Sequence, residues 1–206
     1  MFFSFDGVDG VGKSTQMSLF CDWLRSRGEE VVSCRDPGST PLGERIRDIL
    51  LHAGADTPID RRAEMLLYMA ARAQLTEEVI RPALTEGKTV VSDRFLLANL
   101  AYQGHAGGVD VASIRRVGQV TTGDVLPDCV FLLDMAPEAA RDRLARDLDR
   151  MESQTDGYRQ RVRAGFLKEA ERPEHQAVVI DASRPIDEVQ TAIRAAAEAR
   201  MSEGRL

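Results

Sequence analysis

The stretch Gly7-Val8-Asp9-Gly10-Val11-Gly12-Lys13-Ser14-Thr15 sets two glycines, a lysine and a hydroxyl at the fixed spacing of a phosphate-binding loop. Glycines let backbone N–H groups turn inward around phosphate oxygens, Lys13 adds a point charge, and Ser14 adds a hydroxyl suited to the Mg²⁺ that accompanies a nucleoside triphosphate. The chemistry implied is a grip on a polyphosphate. The plain alternative is a glycine-rich turn with an incidental lysine. Against it stand the apolar run Phe2 to Phe5 before the loop and the amphipathic stretch from Lys13 after it, the strand–loop–helix order such a site requires. A helix starting here contributes its unpaired first N–H groups and the positive end of its dipole.

Other candidate residues fall at the ends of apolar runs. Arg35-Asp36 follows Val31-Val32, and Asp93-Arg94 follows Thr89 to Val91. Asp93 can hold a Mg²⁺ shell directly or through water, and Arg94 can bridge phosphates; a solvated strand-end pair is the competing reading. Tyr68 and Arg72 lie four apart, on one face of a helix, where the ring can stack on a base and the guanidinium can bond to its edge. Taken alone, that pair also reads as core packing beside a surface arginine. Arg141, Arg143, Arg146 and Arg150 alternate with Asp142, Asp147 and Asp149, the pattern of an exposed mixed-charge helix. The functional alternative is a lid that carries arginines to a transferring phosphoryl group, because Val8, Asp9, Gly10 and Val11 of the loop include no arginine. His52, His105 and His175 are far apart and receive no catalytic role; no Ser-His-Asp or Cys-His arrangement and no metal-ligand spacing is present in the sequence.

The elements that must position these residues alternate. Short apolar strands are expected at Phe2–Phe5, Val31–Val32, Thr89–Val91, Val130–Leu133 and Val178–Ile180. Helices are expected from Lys13 to the Gly28 stop, over Leu42–Leu51, from Asp60 through Leu75 with an extension toward Leu84, around Asn99–Tyr102 with breaks at Gly104, Gly107 and Gly108, and over Val109–Val120. Further helices follow from Pro137, over Tyr158–Ala170 and over Pro185–Met201. The alternation predicts an α/β fold, a five-stranded parallel sheet flanked by helices on both faces, with ligands at the carboxyl ends of its strands.

Composition bounds the rest. The 206 residues suit one domain with a full core, and 43% hydrophobic with 29% charged residues is ordinary for a globular protein. A net charge of −6 argues against nucleic acid as the partner. Cys21, Cys34 and Cys129 are few, odd in number and widely spaced, which reads as reduced thiols. With a strand beginning almost at Met1 and no long apolar run, neither a signal peptide nor a membrane span is expected, and a cytoplasmic location follows.

Taken together, the motifs resemble the thymidylate kinases, phosphate-binding-loop enzymes that phosphorylate dTMP, from Phe3 to about Ile193. The resemblance implies a nucleoside monophosphate kinase fold in a single domain with a lid near residues 141–156, ATP as phosphoryl donor, Mg²⁺ and a homodimer. It puts Asp9 near the sugar 3′-hydroxyl of the monophosphate. The family's Arg-Glu/Asp-Pro-Gly-Gly-Thr segment is matched by Arg35-Asp36-Pro37-Gly38-Ser39-Thr40, with Ser39 in place of the second glycine. Leu42 to Arg47 looks similar to the pattern that sets Arg47 near the acceptor phosphate, and Tyr68 with Arg72 matches an aromatic–arginine pair that implies base recognition. Asp93-Arg94-Phe95 implies that Arg94 holds the dTMP phosphate. Asn99-Leu100-Ala101-Tyr102-Gln103-Gly104 implies that Asn99 and Gln103 face the thymine. Asp149-Arg150-Met151-Glu152 looks like the end of a bacterial-type lid, which makes Arg146 and Arg150, with Arg143 behind them, the catalytic arginines beside Lys13 and Arg94. Two rivals lack their signatures: a GTPase switch wants an Asn-Lys-x-Asp segment, absent here, and a deoxynucleoside kinase wants a further carboxylate base.

Overall fold

The computed structural model describes residues 1–54, 56–143 and 155–203. Its centre is a five-stranded sheet of β1 (Phe2–Asp6), β2 (Val31–Arg35), β3 (Thr89–Asp93), β4 (Cys129–Asp134) and β5 (Ala177–Asp181), in the order β2-β3-β1-β4-β5. Each adjacent pair runs parallel, with Phe5 opposite Asp93 and Arg35 opposite Asp93 on the other side. The chain moves outward from β1 in both directions. Crevices open where such a reversal occurs, at the carboxyl ends of the strands.

Alternation along β1 sorts its side chains between the two helical layers. Phe3 and Phe5 join Phe131 of β4 and Phe20 of α1 (Lys13–Ser26), with ring centroids 5.0–5.6 Å apart. Phe2 turns to the opposite face and meets Phe95 edge-on at 5.0 Å. Ser4 and Asp6 share that second face and are fully buried.

Side-chain oxygens close four of the helix starts. Thr40 caps α2 (Pro41–His52), Asp60 caps α3 (Arg61–Leu75), Asp110 caps α6 (Val111–Thr122) and Thr155 caps α8 (Asp156–Ala170). Between them lie α4 (Arg81–Thr85), α5 (Leu96–Asn99) and α7 (Pro137–Asp142), and α9 (Ile186–Glu203) ends the described chain.

The expected helix from Asp60 toward Leu84 is not continuous α-helix: Thr76–Ile80 forms a π-helical turn before α4. Pro82 explains it, because its ring has no N–H and crowds the preceding turn, which the wider π turn relieves. A second π-helical segment, Leu100–Ala106, continues α5 straight through Gly104, so Gly104 does not break the helix. A Cβ there would stand 3.0 Å from Val111 Cγ2 and 3.2 Å from Ile114 Cδ1; this glycine allows α6 to approach. Among the described residues no helix is long and apolar enough to cross a membrane.

Candidate active site

The loop after β1 is shaped by its glycines. Gly7 has φ +136°, and a Cβ on it would fall 2.4 Å from the Leu133 carbonyl oxygen, so the loop can cross β4 only with glycine there. Gly12 starts α1 at φ +95° and offers no side-chain cap. The first N–H groups of α1 therefore have no side-chain cap, unlike those of α2, α3, α6 and α8. Lys13 is buried, its Nζ donating to the carbonyls of Val8 (2.9 Å) and Gly7 (3.1 Å) and standing 3.6 Å from Asp9 Oδ1. Ser14 and Thr15 are exposed on the first turn.

The end of β3 supplies the second part. Arg94 adopts φ +70°, a left-handed conformation costing a non-glycine residue about 1 kcal/mol or more. Its N–H donates to Phe5 O (2.9 Å), and Ser92 Oγ donates to its carbonyl (2.7 Å). The strained turn sends its guanidinium back to the loop, where Nη1 donates to Gly7 O (3.0 Å) and Nη2 to Asp9 Oδ1 (2.6 Å) and Tyr102 Oη (3.2 Å). Tyr102 Oη in turn donates to Asp9 Oδ2 (3.1 Å). Burial pushes the Asp9 carboxyl up, but Arg94 and Lys13 outweigh it and hold the group well below the usual carboxylate range. Asp6, wholly buried beneath the loop, goes the other way: desolvation lifts it to about 7 against the pull of Arg94 and Lys13.

A cavity of about 960 Å³ joins these parts. On the β2–β3 side it is lined by Arg35, Asp36, Pro37, Arg47, Tyr68, Arg72, Asp93, Asn99, Tyr102 and Gln103; on the β5 side by Arg143 and residues 182–186; the loop after β1 lies between. Arg47 Nη1 donates to Pro37 O (3.1 Å), and Arg35 pairs with Glu44 (2.9 Å). Glu44 also accepts from the Ser39 N–H at 2.6 Å, while Ser39 Oγ accepts from the Arg35 N–H at 2.9 Å. These bonds hold Ser39 at φ +62°, the conformation a glycine would adopt freely.

Arg72 is not a surface arginine: it is 1% exposed. Its Nε donates to Asp36 Oδ2 at 2.5 Å and its guanidinium lies 5.1 Å from the Phe95 ring centroid. Tyr68 is half-buried on the same face of α3. Asn99 Nδ2 donates to Gln103 Oε1 (2.8 Å), and Gln103 Nε2 donates to Glu64 Oε1 (2.9 Å).

The loop residues Gly10 to Thr15, with Asp9, and the candidates at 35, 37, 47, 68, 72, 93, 94, 99 and 103 thus meet in one cavity. Gly7 and Val8 do not line it; their carbonyls hold Lys13 in place. Arg146 and Arg150 lie outside the described residues. Arg143 is placed: its Nη1 donates to Ala182 O (3.2 Å) on the β5 side. Sequence reasoning missed Glu64, Tyr102 and Asp6. Glu64 had a signal, standing four residues before Tyr68 on the stripe that continues to Arg72.

A five-stranded parallel sheet with a glycine-rich loop at its reversal point and a cavity on both sides of that loop is the fold of the nucleoside monophosphate kinases, which are phosphotransferases. The family model for thymidylate kinase matches residues 5–193. Thymidylate kinases of Clavibacter michiganensis (44% identical over 207 residues, 99% of this chain and 97% of the relative) and Thermosipho africanus (40% over 199 residues, 96% and 98%) are similar over the whole length. The thymidylate kinase of Rhodopirellula baltica is 44% identical over 190 residues, 92% of this chain and 77% of the relative. A crystal structure of thymidylate kinase from Ehrlichia chaffeensis matches with TM-score 0.79 and 30% identity, covering 96% of this chain and 98% of that one. The chain belongs to the thymidylate kinase family.

Proposed function

We propose that this chain transfers the γ-phosphoryl group of MgATP to the phosphate of dTMP, giving ADP and dTDP. The observation that carries the reading is Arg94, whose guanidinium spans Gly7 O and Asp9 while it lines the β2–β3 side of the cavity. One cation is thereby shared between a donor-phosphate loop and an acceptor wall. Lys13 and the N–H groups of Gly7 to Thr15 neutralise the donor phosphates, and the donor base lies toward Arg143 and residues 182–186. Arg94, with Arg35, Pro37 and Arg47, receives the acceptor phosphate; Asp9 meets the sugar; Tyr68 stacks on the base, and Arg72, Asn99 and Gln103 bond to its edge. The acceptor phosphate, with a second pKa of about 6, is already a nucleophile at neutral pH, so no general base is needed.

Oxygen donors fit Mg²⁺ here. Asp93 Oδ1 is buried without a hydrogen-bond partner, and the Ser14 hydroxyl is exposed at the start of α1. Ser14, and Asp93 directly or through water, would hold the ion, which supplies charge neutralisation on the donor phosphates. Among the described residues no group of three or more His, Cys, Asp or Glu could hold a metal ion.

The whole chain acts as one kinase domain in which residues 141–156 serve as the lid. Arg146 and Arg150 close over the transferring group and exclude water, supplying the cation that the loop lacks. A homodimer is supported by Leu66 on α3 and Val120 on α6, 53% and 84% exposed on helices that pack side by side. Buried, unpaired Cys21, Cys34 and Cys129 support a reducing, cytoplasmic setting.

A coupled ADP-release assay with dTMP, dUMP, AMP, GMP and CMP as acceptors tests the reaction. dTMP is expected to give the highest kcat/KM; equal or better turnover of a purine monophosphate overturns the assignment.

A further inference from the structure

Glu64 is 0% exposed, yet it sits beside the base wall of the cavity rather than in it. Its Oε1 accepts from Gln103 Nε2 at 2.9 Å, and Arg61 Nη1 stands 3.4 Å away as a counter-charge. A carboxylate has only acceptor atoms, whereas each primary amide has one donor end and one acceptor end. That difference imposes an order. Gln103 must turn its NH₂ toward Glu64, which leaves Oε1 to accept; Asn99 must then turn its NH₂ toward Gln103, at 2.8 Å. What remains at the end of the chain is Asn99 Oδ1, a buried oxygen with no hydrogen-bond partner on a residue that lines the cavity.

We infer that Glu64 is a positioning residue that sets base specificity by fixing the polarity of the Gln103–Asn99 amide relay. The inference rests on the reading of Asn99 and Gln103 as the wall facing the acceptor base. Glu64 touches no substrate. Through two amides it makes the wall present an acceptor, and the complementary ligand is a pyrimidine with an N–H at ring position 3, the keto form shared by thymine and uracil. Cytosine offers a lone pair at that position and meets oxygen with nitrogen, leaving two acceptors opposed in a dry site. With glutamine at position 64 the anchor can donate or accept, both amides can reverse together, and the wall can present NH₂ instead.

The test compares Glu64→Gln and Glu64→Asp with the parent chain, measuring kcat and KM for dTMP and dCMP and the thermal midpoint of each protein. Glu64→Gln keeps size and loses the acceptor-only anchor; Glu64→Asp loses a methylene and keeps it. The expected result is a dTMP-to-dCMP ratio of kcat/KM that falls about tenfold or more in Glu64→Gln, mainly through a raised KM for dTMP. In Glu64→Asp the ratio stays within about threefold of the parent even if its midpoint is lower. A ratio unchanged in Glu64→Gln, or lost equally in both variants, overturns the relay. A parent chain that does not prefer dTMP to dCMP overturns the reading of the wall itself, which keeps the two failures apart.

Discussion

Replacing Arg72 with methionine separates what this arginine does for the fold from what it does for a ligand. The Nε–Oδ2 contact with Asp36 is 2.5 Å long, and the side chains are 1% and 0% exposed. Truncating one partner of such a pair leaves an uncompensated buried charge, at a cost of about 3–5 kcal/mol. For a chain of this length that lowers the thermal midpoint by about 6–20 °C. Burial already holds the Asp36 carboxyl above its usual range, against the pull of Arg72. In Arg72→Met it rises further, so the folded pKa lies above the unfolded value of about 3.9. A group raised on folding favours the native state below its unfolded pKa and weakens it as pH rises through the folded one. The Arg72→Met deficit should therefore grow as pH rises from the folded pKa of the parent to the higher one of the variant, and pH 5 and pH 8 are compared to detect it. Adding Asp36→Asn removes the stranded charge, and the double variant should recover about 2 kcal/mol or more and lose the pH dependence. Urea unfolding followed by circular dichroism at both pH values measures the parent and the two variants. Equal losses in the single and double variants at both pH values would refute the reasoning and leave packing on Phe95 as the whole contribution.

Three further outcomes are expected. Burial pushes the Glu169 carboxyl up, but hydrogen bonds from His105 (2.7 Å), Arg115 and His175 (3.1 Å) hold it below the usual range. Its contribution is therefore complete above the unfolded pKa of about 4.3 and disappears as pH falls through the lower folded value; Glu169→Gln should cost about 3 kcal/mol at pH 7 and flatten the acid limb of a midpoint-against-pH curve, and parallel curves would contradict this. The Arg146→Ala/Arg150→Ala double variant should lose about 100-fold or more in kcat while ATP affinity by calorimetry changes less than about threefold; unchanged turnover would place the missing cation elsewhere. Leu66→Asp with Val120→Asp should convert a dimer to a monomer in light scattering, whereas an unchanged mass would remove α3 and α6 from the interface.

The sheet was legible because each strand is a short apolar run ending in chemistry that cannot continue it. Gly7, Pro37, Arg94 and Asp134 follow or close such runs, and helix starts announced themselves at Asp60 and Pro137. The final helix runs from Ile186 to Glu203, past the expected end at Met201. The π turns at Thr76–Ile80 and Leu100–Ala106 were not legible, since inserting one residue into a helical turn leaves the apolar stripe nearly intact. Pro82 was the sole local hint of the first. Gly104 misled because a glycine admitted for close packing has the same letter as one that ends a helix.

The site divides along a different line. Residues that meet a ligand through a loop carry a spacing, and the spacing is visible. Residues that orient others through buried hydrogen bonds do not: Glu64 reaches Gln103 across 39 positions and Tyr102 reaches Asp9 across 93. Yet these hidden contacts decide how the visible ones act. Arg94 is held at a strained φ of +70°, and Asp9 and Tyr102 fix where its guanidinium lies. The Arg94 guanidinium is thus placed by a carboxylate of the loop after β1. Changing Asp9 should therefore displace Arg94 as well as alter the loop, and under the proposed function a loss of activity is assigned to a sugar contact only where Arg94 keeps its place.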